Sequence, residues 1–195
     1  MNRGKALKAF ILTTIMVVLI IGYYYYLSTR NKKATSLEAT EAASEEMTVT
    51  QELISRSKFK EYPNTPVQVV KYYNEITACF YNETYTDDEL ISMATLARSL
   101  CDDELNANQS MDDYLEKLKQ DIAVFSAGNI TIYESIVTPS TDVVYFDHEG
   151  EECARLNSTY TLKSGLNYQT SKEVYILRKD SEGHWKILGF AIDKE

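Results

Sequence analysis

The spacing of apolar residues changes at Gly128-Asn129 from a helical to an extended period, and this change limits the folds open to the chain. Before that point, apolar side chains recur every three or four residues, as on the buried face of a helix. After it, they alternate with polar residues along short runs, as in half-buried strands. Helices that precede a run of strands predict an α+β domain with an antiparallel sheet.

Each of three predicted helices has its own start signal. Thr65-Pro66-Val67-Gln68 and Thr86-Asp87-Asp88-Glu89 both place Gln or Glu three residues after a hydroxyl residue, which is a capping box. Ser110 begins the third helix and Gly128-Asn129 ends it. Strands are then predicted over residues 130–137, 143–146, 151–163, 168–179 and 184–192, joined by turns that contain Gly, Pro or Asp.

An uncharged stretch of 21 residues, Ala9–Thr29, is long enough to cross a bilayer as a helix. The alternative is a cleaved signal peptide, which needs small residues at its cleavage site. Here the apolar run ends in Tyr23-Tyr24-Tyr25-Tyr26, which suits the membrane interface. We therefore expect residues 1–30 to form a cytoplasmic tip and transmembrane anchor, 31–60 a polar linker, and 61–195 the folded domain.

The two sides of the uncharged stretch carry equal numbers of basic residues, so flanking charge alone does not set the orientation. Long C-terminal domains are translocated largely regardless of that charge. The expected location is the cell membrane, with a single pass and the C-terminal domain outside the cytoplasm.

The charge balance and the histidine content of the domain exclude some classes of partner and of functional site. Residues 61–195 carry 11 Lys or Arg against 24 Asp or Glu, a balance that excludes nucleic acid as a partner. Both His lie in or directly beside predicted turns, which argues against a His-based metal centre or triad. The segment from Asp102 to Asp113 follows the spacing of a calcium loop but has Ala107 where the turn needs Gly. No metal and no other cofactor is predicted.

The domain contains three cysteines, Cys79, Cys101 and Cys153. Cys79 and Cys101 fall at the two ends of the second predicted helix, about 20 Å apart and beyond disulfide reach. We expect buried free thiols, the alternative being a disulfide with Cys153.

The final hairpin, with a polar turn at Asp180-Ser181-Glu182-Gly183 before a Trp185-Lys186-Ile187 strand, resembles the last hairpin of the NTF2-like superfamily. The order of three helices and a curved antiparallel sheet is also similar to that cone fold. Tyr62-Pro63 and Cys79-Phe80-Tyr81-Asn82-Glu83 further resemble a family of single-pass membrane proteins of Clostridia-like Firmicutes that has no assigned function. The resemblance implies an NTF2-like cone over residues 61–195 and carries no activity with it.

Candidate binding residues are the aromatic side chains at inward positions of this cone, Tyr72, Tyr73, Tyr114, Tyr160 and Trp185. They either line a ligand cavity or fill the cone themselves as core. Glu75, Glu134 and Glu173 would act as bases only if one were buried in an apolar cone. We expect all three on a solvated face, so no catalytic residue is predicted.

These observations predict a non-catalytic, membrane-anchored, extracytoplasmic binding or assembly module. Its partner would be an envelope protein or a second copy of the chain, in addition to the membrane itself. The alternative is a cone that binds a small apolar ligand or is weakly catalytic. A buried carboxyl group within hydrogen-bonding reach of a cone tyrosine, in an open pocket of more than about 300 Å³, would favour that alternative.

Overall fold

The computed structural model describes residues 47–59 and 62–193. The stretch Ala9–Thr29, predicted to be a transmembrane anchor, lies outside these residues. Within the described part of the chain, no helix combines the length and the apolar character needed to cross a membrane.

The helical half contains α1 (Val49–Phe59), α2 (Pro66–Asn82), α3 (Asp87–Ser99), α4 (Asp103–Ala107) and α5 (Met111–Ala127). The three predicted helices correspond to α2, α3 and α5. At the start of α3, Thr86 Oγ1 accepts the N–H of Glu89, and the Glu89 carboxylate accepts the N–H of Thr86, which completes the predicted capping box.

Helix α1 packs with the domain, although the sequence assigned its residues to the polar linker. Its own capping box joins Thr48 and Gln51, each of which binds the backbone N–H of the other. Leu53 is 3% exposed and Thr50 is fully buried, and α1 lies mainly against α3. Residues from Met47 onward therefore form one compact unit.

The sheet half contains β1 (Ile130–Val137), β2 (Val144–His148), β3 (Glu151–Ser164), β4 (Asn167–Lys179) and β5 (Trp185–Ile192), with a 3₁₀ turn at Ser140–Asp142. All the strand pairs are antiparallel. The long strand β3 pairs with β1 and β2 along one side and with β4 along the other, and β5 lies next to β4. This arrangement confirms the predicted α+β class and antiparallel sheet.

The pairing of the sheet contains two register irregularities. The register shifts between Ile132 and Glu134 in β1, and again between Ile176 and Leu177 where β4 pairs with β5. Such bulges increase local twist and bend the strand. The core lies between the helices and the inner face of this sheet, and its fully buried side chains include Val69, Ile76, Met93, Tyr175, Leu177 and Ile187.

The outer edge of β5 is closed by the connection between α3 and α4. The Asp102 N–H donates to the Ile187 carbonyl (2.8 Å), and the Ile187 N–H donates to the Leu100 carbonyl (2.9 Å). An edge strand otherwise presents unpaired backbone groups to solvent. The connection therefore acts as a short additional strand at this point.

The three cysteines are free thiols, and the predicted burial is found for two of them. Cys79 and Cys153 are buried, and Cys101 is half-buried.

Candidate functional site

A cavity of about 350 Å³ opens between helices α2 and α5 and the inner face of the sheet. Its size falls in the lower part of the range of small-molecule sites. Aromatic side chains make up nearly half of its lining: Tyr73, Phe80, Tyr81, Tyr114, Phe125, Tyr160, Tyr175 and Phe190.

Strands β3 and β4 supply Tyr160, Glu173 and Tyr175 to the cavity wall, and Ser158 lies beside them on the same face. Ser158 and Tyr160 are two residues apart on β3, and Glu173 and Tyr175 are two residues apart on β4. Residues two apart on a strand share a face, and the register sets Ser158 directly opposite Glu173. The four side chains therefore project from the inner face of the sheet.

A chain of short contacts runs from helix α2 to strand β4. Tyr160 Oη donates to Asn74 Oδ1 (2.6 Å), and Asn74 Nδ2 donates to Ser158 Oγ (2.7 Å). Tyr160 Oη also lies 3.0 Å from Tyr175 Oη, which lies 2.7 Å from Glu173 Oε2. Asn74, Ser158, Tyr160 and Tyr175 are buried, so these contacts satisfy polar groups that are otherwise cut off from water.

Burial shifts the titration of the groups in this chain. The pKa of Glu173 is raised above its ordinary value because the side chain is partly desolvated, an effect that the hydrogen bond with Tyr175 opposes. Burial also raises the pKa of the Tyr160 and Tyr175 phenols, which keeps both protonated. The chain thus combines two phenol donors with one carboxyl group that holds its proton more tightly than usual.

Three of the five predicted aromatic residues line the cavity, namely Tyr73, Tyr114 and Tyr160. Tyr72 packs against the core without lining the cavity. Trp185 is 4% exposed, and its ring lies 5.8 Å from that of Tyr145. Trp185 is therefore a residue of the hydrophobic core.

The three candidate carboxylates separate into two groups. Glu75 and Glu134 are exposed, in agreement with the expected solvated face. Glu173 differs from that expectation because it is half-buried in the wall of the cavity. A signal for this position was present in the sequence, since Glu173 shares a strand face with Tyr175 and Leu177. The sequence alone does not identify the inner face, because Val174 and Ile176 make the other face of β4 apolar as well.

The mouth of the cavity carries charged groups from helix α5. Lys117 and Asp121 are exposed, and Lys117 Nζ donates to Gln109 Oε1 (3.2 Å). Phe190, which is 45% exposed, stacks on Tyr175 with 5.4 Å between ring centroids. A ligand would thus enter past charged groups toward aromatic walls and the Glu173 carboxyl group.

The turn between β4 and β5 brings together Asp180, Glu182 and His184, whose potential ligand atoms all lie within 4.8 Å of one another. The sequence predicted no metal site. Asp180 Oδ1 accepts the backbone N–H groups of Glu182 and His184 (2.9 and 2.8 Å), which gives this cluster a structural role in shaping the turn.

A family model described as a domain of unknown function, DUF6715, matches residues 1–190 of the chain. A search of curated proteins finds no match.

Proposed function

We propose that this chain, which belongs to the DUF6715 family, is a membrane-anchored binding protein whose cavity takes a small, largely apolar ligand. The observation that carries the proposal is the Glu173 carboxyl group, 2.7 Å from the Tyr175 hydroxyl in the wall of a cavity of about 350 Å³. Ligand sites in proteins are typically apolar clefts in which a few polar groups fix orientation. Perturbed titratable groups in a cavity also mark functional sites.

Binding accounts for these groups better than turnover does. Proton transfer to and from a substrate needs an acid or base poised beside the reacting atom. The cavity offers one half-buried carboxyl group among phenols, and neither described histidine lines it. The chain therefore serves as a binding protein rather than an enzyme.

The NTF2-like cone remains our proposal for the fold type. It is supported by helices packed on one face of an antiparallel sheet that bulges at two places. A fold type of this breadth supports many activities, so the function is argued from the cavity and not from the fold.

The proposed anchor is the uncharged stretch Ala9–Thr29, which would hold the domain at the outer side of the cell membrane. A ligand from outside the cell or from the membrane surface would then have direct access to the cavity.

A second candidate is an assembly module in which another copy of the chain covers apolar side chains on the sheet. Tyr133, Ile136 and Tyr168 are more than half exposed. Ile136 lies opposite Thr159 and Tyr168 lies opposite Lys163, on the side of β3 turned away from the helices. Replacing Ile136 by Asp would convert a dimer to a monomer in sedimentation experiments if this surface is an interface.

Ligand binding is tested by filling the cavity. Ser171, on β4, lines the cavity, and Thr170 beside it is exposed. We expect Ser171→Trp to weaken the binding of a neutral aromatic fluorescent probe by about tenfold or more, while Thr170→Trp leaves it unchanged. Equal binding by both variants would contradict a ligand function for this cavity.

A further inference from the structure

The cavity is rich in aromatic rings and acidic groups and poor in cationic ones. Glu173 and Asp121 are acidic, and Lys117 is the one basic side chain among the described residues that line the cavity. Lys117 is exposed at the mouth, where its Nζ donates to Gln109. No lining cation is therefore placed to neutralise Glu173.

Such a lining favours a positively charged ligand. The face of an aromatic ring carries a partial negative charge and attracts ammonium groups, most strongly where water is excluded. An ionised carboxylate beside those rings adds a full negative charge. The acidic balance of residues 61–195 attracts cations over longer distances as well.

The hydrogen-bond chain can be satisfied with a neutral Glu173. The Tyr160 proton is committed to Asn74 Oδ1, because an amide oxygen only accepts. Tyr175 then has one proton for two contacts, with Tyr160 Oη (3.0 Å) and with Glu173 Oε2 (2.7 Å), where Tyr175 is placed to donate. Both contacts of Tyr175 carry a proton at the same time only if Glu173 is a neutral carboxylic acid and donates to Tyr175.

An ionised Glu173 requires the opposite direction of donation along the same atoms. Tyr175 then donates to the carboxylate, and Tyr160 donates to Tyr175. The Asn74 amide must turn by half a rotation, so that Nδ2 donates to Tyr160 and Oδ1 accepts from the Ser158 hydroxyl. Every contact is again satisfied, so the chain has one arrangement for each charge state of Glu173.

Building on the ligand-binding function above, we propose that the cavity takes an organic monocation, an ammonium group on an apolar body, and that Glu173 releases one proton as the cation enters. The O–H bond of the carboxylic acid breaks and its proton passes to bulk water. The carboxylate that remains is the counter-ion of the bound ammonium group, so the net charge of the site is unchanged.

Of the two carboxyl groups that line the cavity within the described residues, Glu173 is half-buried and Asp121 is exposed. Apart from Glu173, the titratable side chains around the cavity are five phenols and two charged groups. The phenols are Tyr73 and Tyr81 from α2, Tyr114 from α5, Tyr160 from β3 and Tyr175 from β4. The charged groups are Lys117 and Asp121 from α5, and β5 contributes only Phe190, which does not titrate. Burial raises the pKa of all five phenols, to about 12 for Tyr81, so none of them ionises near neutral pH. Lys117 and Asp121 are exposed to solvent at the mouth.

The experiment measures the heat of binding of benzyltrimethylammonium to the purified full-length chain in lipid nanodiscs. Titrations in two buffers of different ionisation enthalpy, repeated from about pH 5 to pH 8, give the number of protons released. We expect release approaching one proton at the lower pH values and tighter binding as the pH rises. Glu173→Gln should weaken binding about tenfold or more at pH 8 and abolish proton release, whereas Glu134→Gln, an exposed carboxylate on β1, should match the wild type.

Binding of neopentylbenzene, the neutral carbon isostere of benzyltrimethylammonium, is measured in the same way. It distinguishes a failure of the cation preference from a failure of ligand binding itself. If the isostere binds as tightly as the cation, the preference for a cation is overturned and ligand binding stands. If neither compound binds, both proposals fail. Binding of the cation to the wild type without proton release at any pH would overturn the role of Glu173, whether or not the Gln variant folds.

Discussion

Arg178 and Asp102 form a two-point ion pair between strand β4 and the start of helix α4. Arg178 Nη2 lies 2.7 Å from Asp102 Oδ1, and Arg178 Nε lies 3.1 Å from Asp102 Oδ2. Asp102 Oδ1 also accepts the N–H of Glu104, which caps the helix. One buried carboxylate therefore joins the start of helix α4 to strand β4 of the sheet.

We expect Asp102→Asn to lower the free energy of unfolding by about 3 kcal/mol, because it leaves the Arg178 guanidinium without its buried partner. Urea denaturation followed by circular dichroism measures the change. The neighbouring Asp103 is exposed, so Asp103→Asn should stay within about 0.5 kcal/mol of the wild type. Equal effects of the two substitutions would show that the pair contributes little.

The ion pair of Arg178 and Asp102 should make the stability of the protein depend on pH in the acid range. Burial acts to raise the pKa of Asp102, but the hydrogen bonds from Arg178 and the Glu104 N–H outweigh it and leave that pKa lowered. The stabilisation is thus fully present above the unfolded-state pKa, about 3.9, and is lost as the pH falls through the folded-state value. Denaturation at a series of pH values should show this loss in the wild type and a smaller one in Asp102→Asn.

Glu173 should make the stability of the protein fall, and not rise, as the pH increases. Its pKa is raised by burial, so the folded state holds its proton at pH values where the unfolded chain has lost it. Stability then falls as the pH rises from about 4.3 toward the folded-state pKa, by about 1.4 kcal/mol for each pH unit within that window. Glu173→Gln should remove this fall and Glu134→Gln should keep it. A fall that persists in Glu173→Gln would assign it to another group.

Trp185→Ala should lower the free energy of unfolding by about 3–5 kcal/mol, because its side chain is 4% exposed and its loss leaves a cavity in the core. Leu166, at the tip of the β3–β4 hairpin, is 95% exposed, so Leu166→Ala should change stability by less than about 0.5 kcal/mol. A loss below about 1 kcal/mol for Trp185→Ala would contradict its placement in the core.

The proposed membrane anchor is tested by determining on which side of the membrane the C-terminal domain lies. Alkaline phosphatase fused after Glu195 should be active, because the enzyme needs an oxidising compartment to form its disulfides. A fluorescent protein that matures only in the cytoplasm should be dark at the same position. The reverse pair of results would place the domain inside the cell.

Much of the secondary structure was predictable because its signals are local. Thr86 and Glu89 interact across three residues, and the start of α3 follows from them alone. The same type of signal at Thr48 and Gln51 marks α1, but its few apolar residues gave no reason to expect that Leu53 enters the core.

The cavity was less predictable because its polar contacts join distant residues. Asn74 and Tyr160 are 86 positions apart, and no local pattern indicates that an amide on α2 meets a phenol on β3. On β4, both faces carry apolar residues, so the sequence does not show which face Glu173 occupies. Only the packing of the helices on one side of the sheet decides that question.

The backbone bonds that tie Leu100 and Asp102 to Ile187 have a practical consequence for engineering the protein. Loop tips without such bonds usually tolerate inserted epitopes, new termini and fused reporters. The hairpin at Gly165-Leu166 meets that condition, whereas lengthening the connection between α3 and α4 would pull directly on the sheet. Protein engineers who need a permissive insertion point should therefore choose the hairpin and keep the length of the connection fixed.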